Sequence, residues 1–214
     1  MERGTEFILA HTVVARPALV PELELRLVTE ACPLWRARVE DLARLGVEDP
    51  FWAFAWAGGQ ALARHLLDEP ELVAGRTVLD FGSGCAVEAI AALRAGAASA
   101  LAADVDRLAC AAARLNAELN GVRLTTIERD LVGCDEGWQV VLAGDVFFEA
   151  PLAARVGTWL GALARRGALV LVGDPGRGFF DAAGAERLAE HLAPADVDVD
   201  GRLRRATAVW RVRG

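Results

Sequence analysis

The apolar positions of this chain change period along its length. Thr77-Val-Leu-Asp-Phe81 is a short apolar, β-branched run that stops at Gly82-Ser-Gly84, and the alanine-rich stretch 86–95 follows at helical spacing. That order predicts a strand, a tight turn and a helix. The alternation then continues. Ser99–Ala103 reads as a strand, Arg107–Leu119 as a helix, and Val122–Ile127 and Trp138–Gly144 as strands. Residues 152–164 read as a helix, Ala168–Val172 as a strand and Ala182–Leu192 as a helix. Asp196–Asp200 and Arg205–Val212 alternate about Gly201 as an antiparallel hairpin would. Upstream, Phe7–Val14 and Leu23–Val28 read as short strands separated by Pro17 and Pro21, and Trp35–Leu45 as a helix ending at Gly46. Asp49-Pro50 breaks the chain before Phe51-Trp-Ala-Phe-Ala-Trp56, which leads into a helix near Gln60–Leu67 closed by Asp68-Glu-Pro70. The expectation is an N-terminal extension over 1–50 and an α/β domain over 51–214.

Chemistry concentrates where the expected strands end. Gly82 and Gly84 let the backbone pass close to a ligand, and the helix behind them offers unpaired N–H groups. Such a turn binds nucleotide-like cofactors, although glycine turns also join strands to helices where nothing binds. The third glycine of the dinucleotide fingerprint would stand where Val87 is, which disfavours a nicotinamide or flavin dinucleotide. Asp104 falls about twenty residues beyond the turn, where an acid accepts from both ribose hydroxyls. Asp106 is better placed to cap the following helix. Asp130-Leu131 follows the third strand: it reads either as an adenine site, the acid accepting from the amino group and Leu131 covering a ring face, or as a solvated loop. Gly144-Asp-Val-Phe-Phe148 sets an acid beside two aromatics, with a capping acid over buried phenylalanines as the plainer reading. Trp52 and Trp56 read as core or as cofactor wall; the two glycines after Trp56 suggest backbone held open beside a ligand.

Composition narrows the field. The net charge is −7, with no basic stripe, which argues against nucleic acid as the main partner. It suits a basic or amine-bearing substrate. The four cysteines are scattered and the three histidines are distant from them, so no metal is expected and reduced thiols are the default. No apolar run is long enough to span a bilayer, and Met-Glu-Arg-Gly-Thr-Glu6 lacks a signal peptide's apolar core. Neither a membrane nor export is expected, which leaves the cytoplasm. All 23 basic residues are arginine and tyrosine is absent, which reads as genome composition and not as chemistry.

Several stretches together are specific. Pro21-Glu-Leu-Glu-Leu-Arg-Leu27, the Pro50–Leu62 stretch with its tryptophans and Gly58-Gly59, and the Val78–Cys85 turn make one set. Asp104-Val-Asp106, Leu115-Asn-Ala-Glu-Leu-Asn120, Gly144–Phe148 and Gly173-Asp-Pro-Gly-Arg177 make the other. From about Phe7 to Phe180 the chain resembles the lysine methyltransferases of the electron transfer flavoprotein beta subunit, as a bacterial member. The resemblance implies a Rossmann-like, seven-β-strand methyltransferase fold with an antiparallel C-terminal hairpin, and S-adenosylmethionine as cofactor. It implies that Trp56 and the backbone of Gly82–Gly84 hold the methionine part and that Asp80 orients its amino group through the turn. Asp104 would bind the ribose, Asp130 and Leu131 would frame the adenine, and Gly144 would line the pocket floor.

Asp145 and Phe148 are the expected catalytic pair, one orienting the lysine amine and the other, alone or together with Phe147, packing on the methylated ammonium by cation–π contact. The family's acid-x-x-aromatic motif usually ends in tyrosine, so a role that needs a phenolic hydroxyl is absent here. The expected partner is a protein substrate, the flavoprotein beta subunit, with the N-terminal segment and the Asp174–Arg177 loop shaping its choice. Alternatives are a methyltransferase for a ribosomal protein or for a small amine of the nicotinamide type, and an inactive cofactor-binding scaffold.

Overall fold

The computed structural model describes residues 3–47, 49–194 and 204–214. The N-terminal part comprises helix α1 (Arg3–His11), strands β1 (Val13–Ala15) and β2 (Leu25–Leu27) and helix α2 (Val39–Leu45). Helix α3 (Ala57–Asp68) precedes the alternating core: β3 (Thr77–Phe81), α4 (Val87–Arg94), β4 (Ser99–Asp104), α5 (Arg107–Leu119) and β5 (Thr125–Glu128). There follow β6 (Val140–Gly144), α6 (Ala150–Arg165), β7 (Leu169–Asp174), β8 (Ala185–Pro194) and β9 (Arg204–Val212). Seven strands form one sheet in the order β5-β4-β3-β6-β7-β9-β8. The first five in that order are parallel, and β9 runs antiparallel between β7 and β8.

Both faces of the sheet are covered, which is why its strands read as unbroken apolar runs. The period of two sorts their side chains. Val78, Val140, Leu142 and Leu171 pack with Leu62, Leu66 and Ile90 of α3 and α4. Leu79, Val141, Val170 and Val172 point the other way, onto Trp159, Leu160 and Leu163 of α6. A third cluster joins the N-terminal part to α5 through Ile8, Val28, Leu34, Leu42 and Trp52. Trp52 is therefore core, one of the two readings open for it.

Asn116 on α5 and Asn120 at its C-terminal cap fasten the N-terminal part. Asn116 accepts from the Arg26 N–H at 2.7 Å and donates to the Cys85 carbonyl at 2.9 Å. Asn120 accepts from the Glu24 N–H at 3.1 Å and donates to the Glu24 carbonyl at 2.6 Å. The β2 strand is thereby tied through α5 to the turn after β3.

Three element assignments change. Phe7–Val14, expected as a strand, is the end of α1 followed by β1. Helical spacing buries Ile8 completely and stacks Phe7 on His11, four residues on, with ring centroids 4.2 Å apart. The helix expected over Trp35–Leu45 is a 3-10 turn at Pro33–Arg36 and then α2, which does end at Gly46 in the left-handed region (φ 68°). Ala182–Leu192, expected as a helix, is a 3-10 turn at Ala182–Gly184 and most of strand β8. Its alanine, glutamate and leucine content favours helix, but pairing with β9 along its whole length overrides that propensity, with a register shift between Arg187 and Ala189. The first hairpin strand expected at Asp196–Asp200 lies outside the described residues; the second, Arg205–Val212, falls within β9.

Candidate functional site

The chain runs outward from β3 through β4 to β5, then restarts at β6 on the other flank of β3. That reversal leaves a crevice at the carboxyl ends of β3 and β6, where open α/β sheets bind their ligands. Asp80 and the glycine turn stand on one side of it, Gly144 and Asp145 on the other.

The turn is built from left-handed backbone. Gly82 has φ 67°, Gly84 φ 49° and Ala86 φ 61°, the last strained for a residue with a side chain. Asp104, at the end of β4, holds the turn: its Oδ2 accepts from the Gly84 N–H at 2.9 Å and its Oδ1 from the Asp106 N–H at 3.0 Å. Each oxygen keeps a lone pair for a further donor. Burial pushes the Asp104 carboxyl above the usual range against those hydrogen bonds. Asp106 caps α5 by accepting from Leu108 at 2.7 Å, as its spacing implied. Asp80 is buried beneath the turn; Oδ2 accepts from the Ala89 N–H at 3.0 Å while Oδ1 has no hydrogen-bond partner. Burial, with Asp104 adding to it, raises this carboxyl to about 7.

On the β6 side, Asp145 adopts φ 55°. Its Oδ2 accepts from both Gly58 and Gly59 at the start of α3, capping that helix from another part of the chain. Its Oδ1 lies 3.5 Å from Arg177 of the loop after β7, with both side chains mostly buried. Burial raises the Asp145 carboxyl to about 6, Arg177 and the two glycine N–H groups opposing the rise. Arg177 also lies over Trp56, 5.7 Å from the ring centroid. Trp56 is half-buried, donates to the Phe51 carbonyl at 2.9 Å and leans on Phe54.

The glycine pair after Trp56 has a different reason from the one its sequence suggested. Gly58 packs on the Gly173 carbonyl and Asp145, and Gly59 on Glu88 and Gly144. A Cβ at Gly58, Gly144 or Gly173 would collide with backbone, so these glycines let α3 touch the ends of β6 and β7. They do not hold backbone open. Gly144 accordingly lines the crevice through its main chain and abuts Glu88 beneath.

Other expected site residues are placed less favourably. Leu131 is fully buried in the cluster under α6, so its side chain covers no ligand ring and only its main chain is available. Asp130 is exposed, accepts from the Val132 N–H at 2.9 Å and pairs with Arg155 at 2.9 Å, which together hold its carboxyl below the usual range. Phe147 is buried against Phe180, with centroids 4.9 Å apart, whereas Phe148, three residues after Asp145, is 50% exposed.

Glu88 was missed. It is 5% exposed in the first turn of α4, accepts from the Gly144 N–H and leaves Oε2 without a partner. In the sequence it passes for a first-turn acid facing the helix dipole. Its burial depends on the approach of α3, which no local pattern reveals.

Relatives place this geometry in a family. The family model described as ribosomal protein L11 methyltransferase (PrmA) matches residues 60–146. The electron transfer flavoprotein beta subunit lysine methyltransferase of Xenopus laevis is 44% identical over 191 residues, spanning 88% of this chain and 75% of the relative. That of Danio rerio is 39% identical over 213 residues, spanning 96% and 81%. Among solved structures, magnesium protoporphyrin IX methyltransferase from Synechocystis with bound S-adenosylmethionine matches with TM-score 0.53 and 16% identity, over 72% of this chain and 77% of that one. That likeness concerns the fold, a parallel sheet closed by antiparallel strands. With identity of this order along most of its length, the chain belongs to the electron transfer flavoprotein beta subunit lysine methyltransferase family.

Proposed function

We propose that this methyltransferase transfers the methyl group of S-adenosylmethionine to lysine side chains of the electron transfer flavoprotein beta subunit. The observation that carries the reading is the crevice itself: Asp104 bound to the glycine turn on one side, Asp145 held between α3 and Arg177 on the other. The substrate rests on the relatives' names.

The crevice fits the cofactor. Asp80 Oδ1 and Ser83 Oγ are buried and unpartnered, and Gly82 and Gly84 keep the turn free of side chains. Asp104 would hold the ribose, the turn and Trp56 the methionine part, and Asp80 its amino group through the turn. Asp130 and the main chain of Leu131 would frame the adenine, with Gly144 below. When bound, the cofactor supplies an activated methyl group on a sulfonium, so the chain has to contribute orientation more than acid–base power.

The lysine must arrive as a neutral amine. A bare carboxylate beside it would favour the ammonium and slow the reaction. Asp145 avoids this because Oδ2 is committed to α3 and Oδ1 faces the Arg177 guanidinium. It acts as an orienter, with the arginine moderating its field. Phe148, exposed three residues after it, receives the methylated ammonium by a cation–π contact of about 0.5–2 kcal/mol, which permits repeated transfer. The 1–50 extension and the Asp174–Arg177 loop would face the protein substrate.

The match to the ribosomal protein L11 methyltransferase model supports one alternative substrate. Incubating the enzyme and labelled cofactor with purified flavoprotein beta subunit, ribosomal protein L11 and nicotinamide in parallel separates the readings. Label on lysines of the beta subunit alone is expected. Label on L11 alone would replace the substrate while keeping the chemistry.

A further inference from the structure

Glu88, which has no part in the methyl transfer described above, forms with Asp80 a buried acidic pair under the crevice. Both side chains are nearly inaccessible, at 5% and 1% exposure. Each spends one oxygen on a backbone N–H, Glu88 on Gly144 and Asp80 on Ala89, and each leaves the other oxygen, Oε2 and Oδ1, buried without a partner. The two groups come from adjacent elements, α4 and β3, and bracket the turn. The charged groups that bear on them are acidic: Asp104 acts on Asp80, while Asp80 and Asp145 act on Glu88. Arg177 faces Asp145 and Asp174 on the far side and serves those acids. The thiol of Cys85, pushed up to about 12 by burial and by these two acids, stays neutral beside them.

Two unpaired carboxylates cannot both stay ionised in such a place, because desolvation and mutual repulsion add. Burial accordingly raises Asp80 to about 7 and holds Glu88 well above the usual range. A cation entering the crevice reverses the preference, since it stabilises the ionised pair. The methyl donor carries a sulfonium; the product left after transfer carries a neutral thioether. The two ligands differ by one positive charge, and the proposed cofactor site lies over this pair.

We propose that Glu88 is a positioning residue for the cofactor, sharing a proton with Asp80 in the ligand-free protein and releasing it to solvent when the sulfonium ligand binds. Binding of the cationic donor is then coupled to proton release, whereas binding of the neutral-sulfur product is coupled less. The consequence is a pocket that favours donor over product as pH rises and helps the product leave after transfer. By linkage, the release of up to one proton lets donor affinity rise by at most about tenfold per pH unit. The inference rests on the crevice being the cofactor site.

The test is isothermal titration calorimetry of the full chain with S-adenosylmethionine and with S-adenosylhomocysteine. Running each titration between about pH 5.5 and 8, in pairs of buffers with different ionisation enthalpies, counts the protons released. The ligands' own amino groups also titrate, so the Glu88→Gln protein supplies the reference. Glutamine keeps the size and an acceptor for Gly144, and it imitates the protonated acid. The expected result is more proton release with the donor than with the product in the natural protein, and a smaller difference in Glu88→Gln. Donor affinity should rise several-fold with pH more in the natural protein than in the variant. Equal proton counts in the natural protein and Glu88→Gln, with both binding, would overturn the inference. If the variant fails to fold, identical donor and product pH profiles in the natural protein, after subtracting each ligand's own titration, would overturn it as well. Absence of binding by either ligand would instead remove the cofactor-site reading beneath it.

Discussion

At the scale of single residues, the acids around the crevice have separable tasks. Asp104 holds Gly84 and Asp106 through one oxygen each, so Asp104→Ala should weaken cofactor binding by about 1.5–3 kcal/mol, roughly ten- to a hundredfold. Calorimetry reads this directly, with circular dichroism checking that the fold is kept. Asp145→Asn should behave differently. Asparagine tolerates the positive φ and can still accept from α3, but it loses the charge facing Arg177. Turnover on the protein substrate is expected to fall by at least about a hundredfold, with cofactor affinity changed only a few-fold and stability by about 1 kcal/mol. Asp104 and Asp145 were both legible in the sequence, because each stands where a strand pattern ends. The cap that Asp145 supplies to α3 was not legible, since its partners are 86 and 87 residues away.

At the scale of elements, the most constrained contact is the start of α3 against the ends of β6 and β7. Gly173→Ala would drive a methyl group into the Gly58 backbone, and no flexible side chain is there to yield. Such overpacking costs about 1–3 kcal/mol or more, and because Asp145 is bonded to the same helix turn, activity should fall with stability. Thermal unfolding and methyl transfer measured on the same preparation check whether both decline. The glycine pair itself is visible in the sequence and suggests an opening for ligand, whereas the structure makes it a close contact between backbones. The C-terminal strands show the opposite limit. Arg107–Leu119 was readable because propensity, spacing and its Asp106 cap agree, whereas Ala185–Pro194 has the composition of a helix and is a strand because β9 lies beside it. Local sequence carries the first kind of information and lacks the second.

At the scale of the whole molecule, the buried acids link stability to pH. Asp80 and Asp145 have folded-state values of about 7 and about 6, above those of ordinary carboxylates, and Glu88 lies in the same direction. The folded protein therefore binds more protons than the unfolded chain between about pH 4 and pH 7. The stability these groups contribute is present below that window and is lost as pH rises through it. Differential scanning fluorimetry of the ligand-free protein should show Glu88→Gln gaining stability relative to the natural chain as pH increases. Asn116 and Asn120 act at the same scale, tying the N-terminal part to α5 and the turn after β3. Asn116→Ala leaves the Arg26 N–H and the Cys85 carbonyl without that partner, at a cost of about 1–3 kcal/mol. The central claim, however, concerns where the methyl group goes. The direct measurement is mass spectrometry of purified electron transfer flavoprotein beta subunit after incubation with labelled S-adenosylmethionine and this protein, alongside Asp104→Ala and Asp145→Asn. The account predicts label on lysine with the natural protein and severe loss with both variants, only Asp104→Ala losing cofactor affinity. Cofactor binding without any label on lysine, under conditions where the Xenopus laevis relative transfers it, would contradict the account.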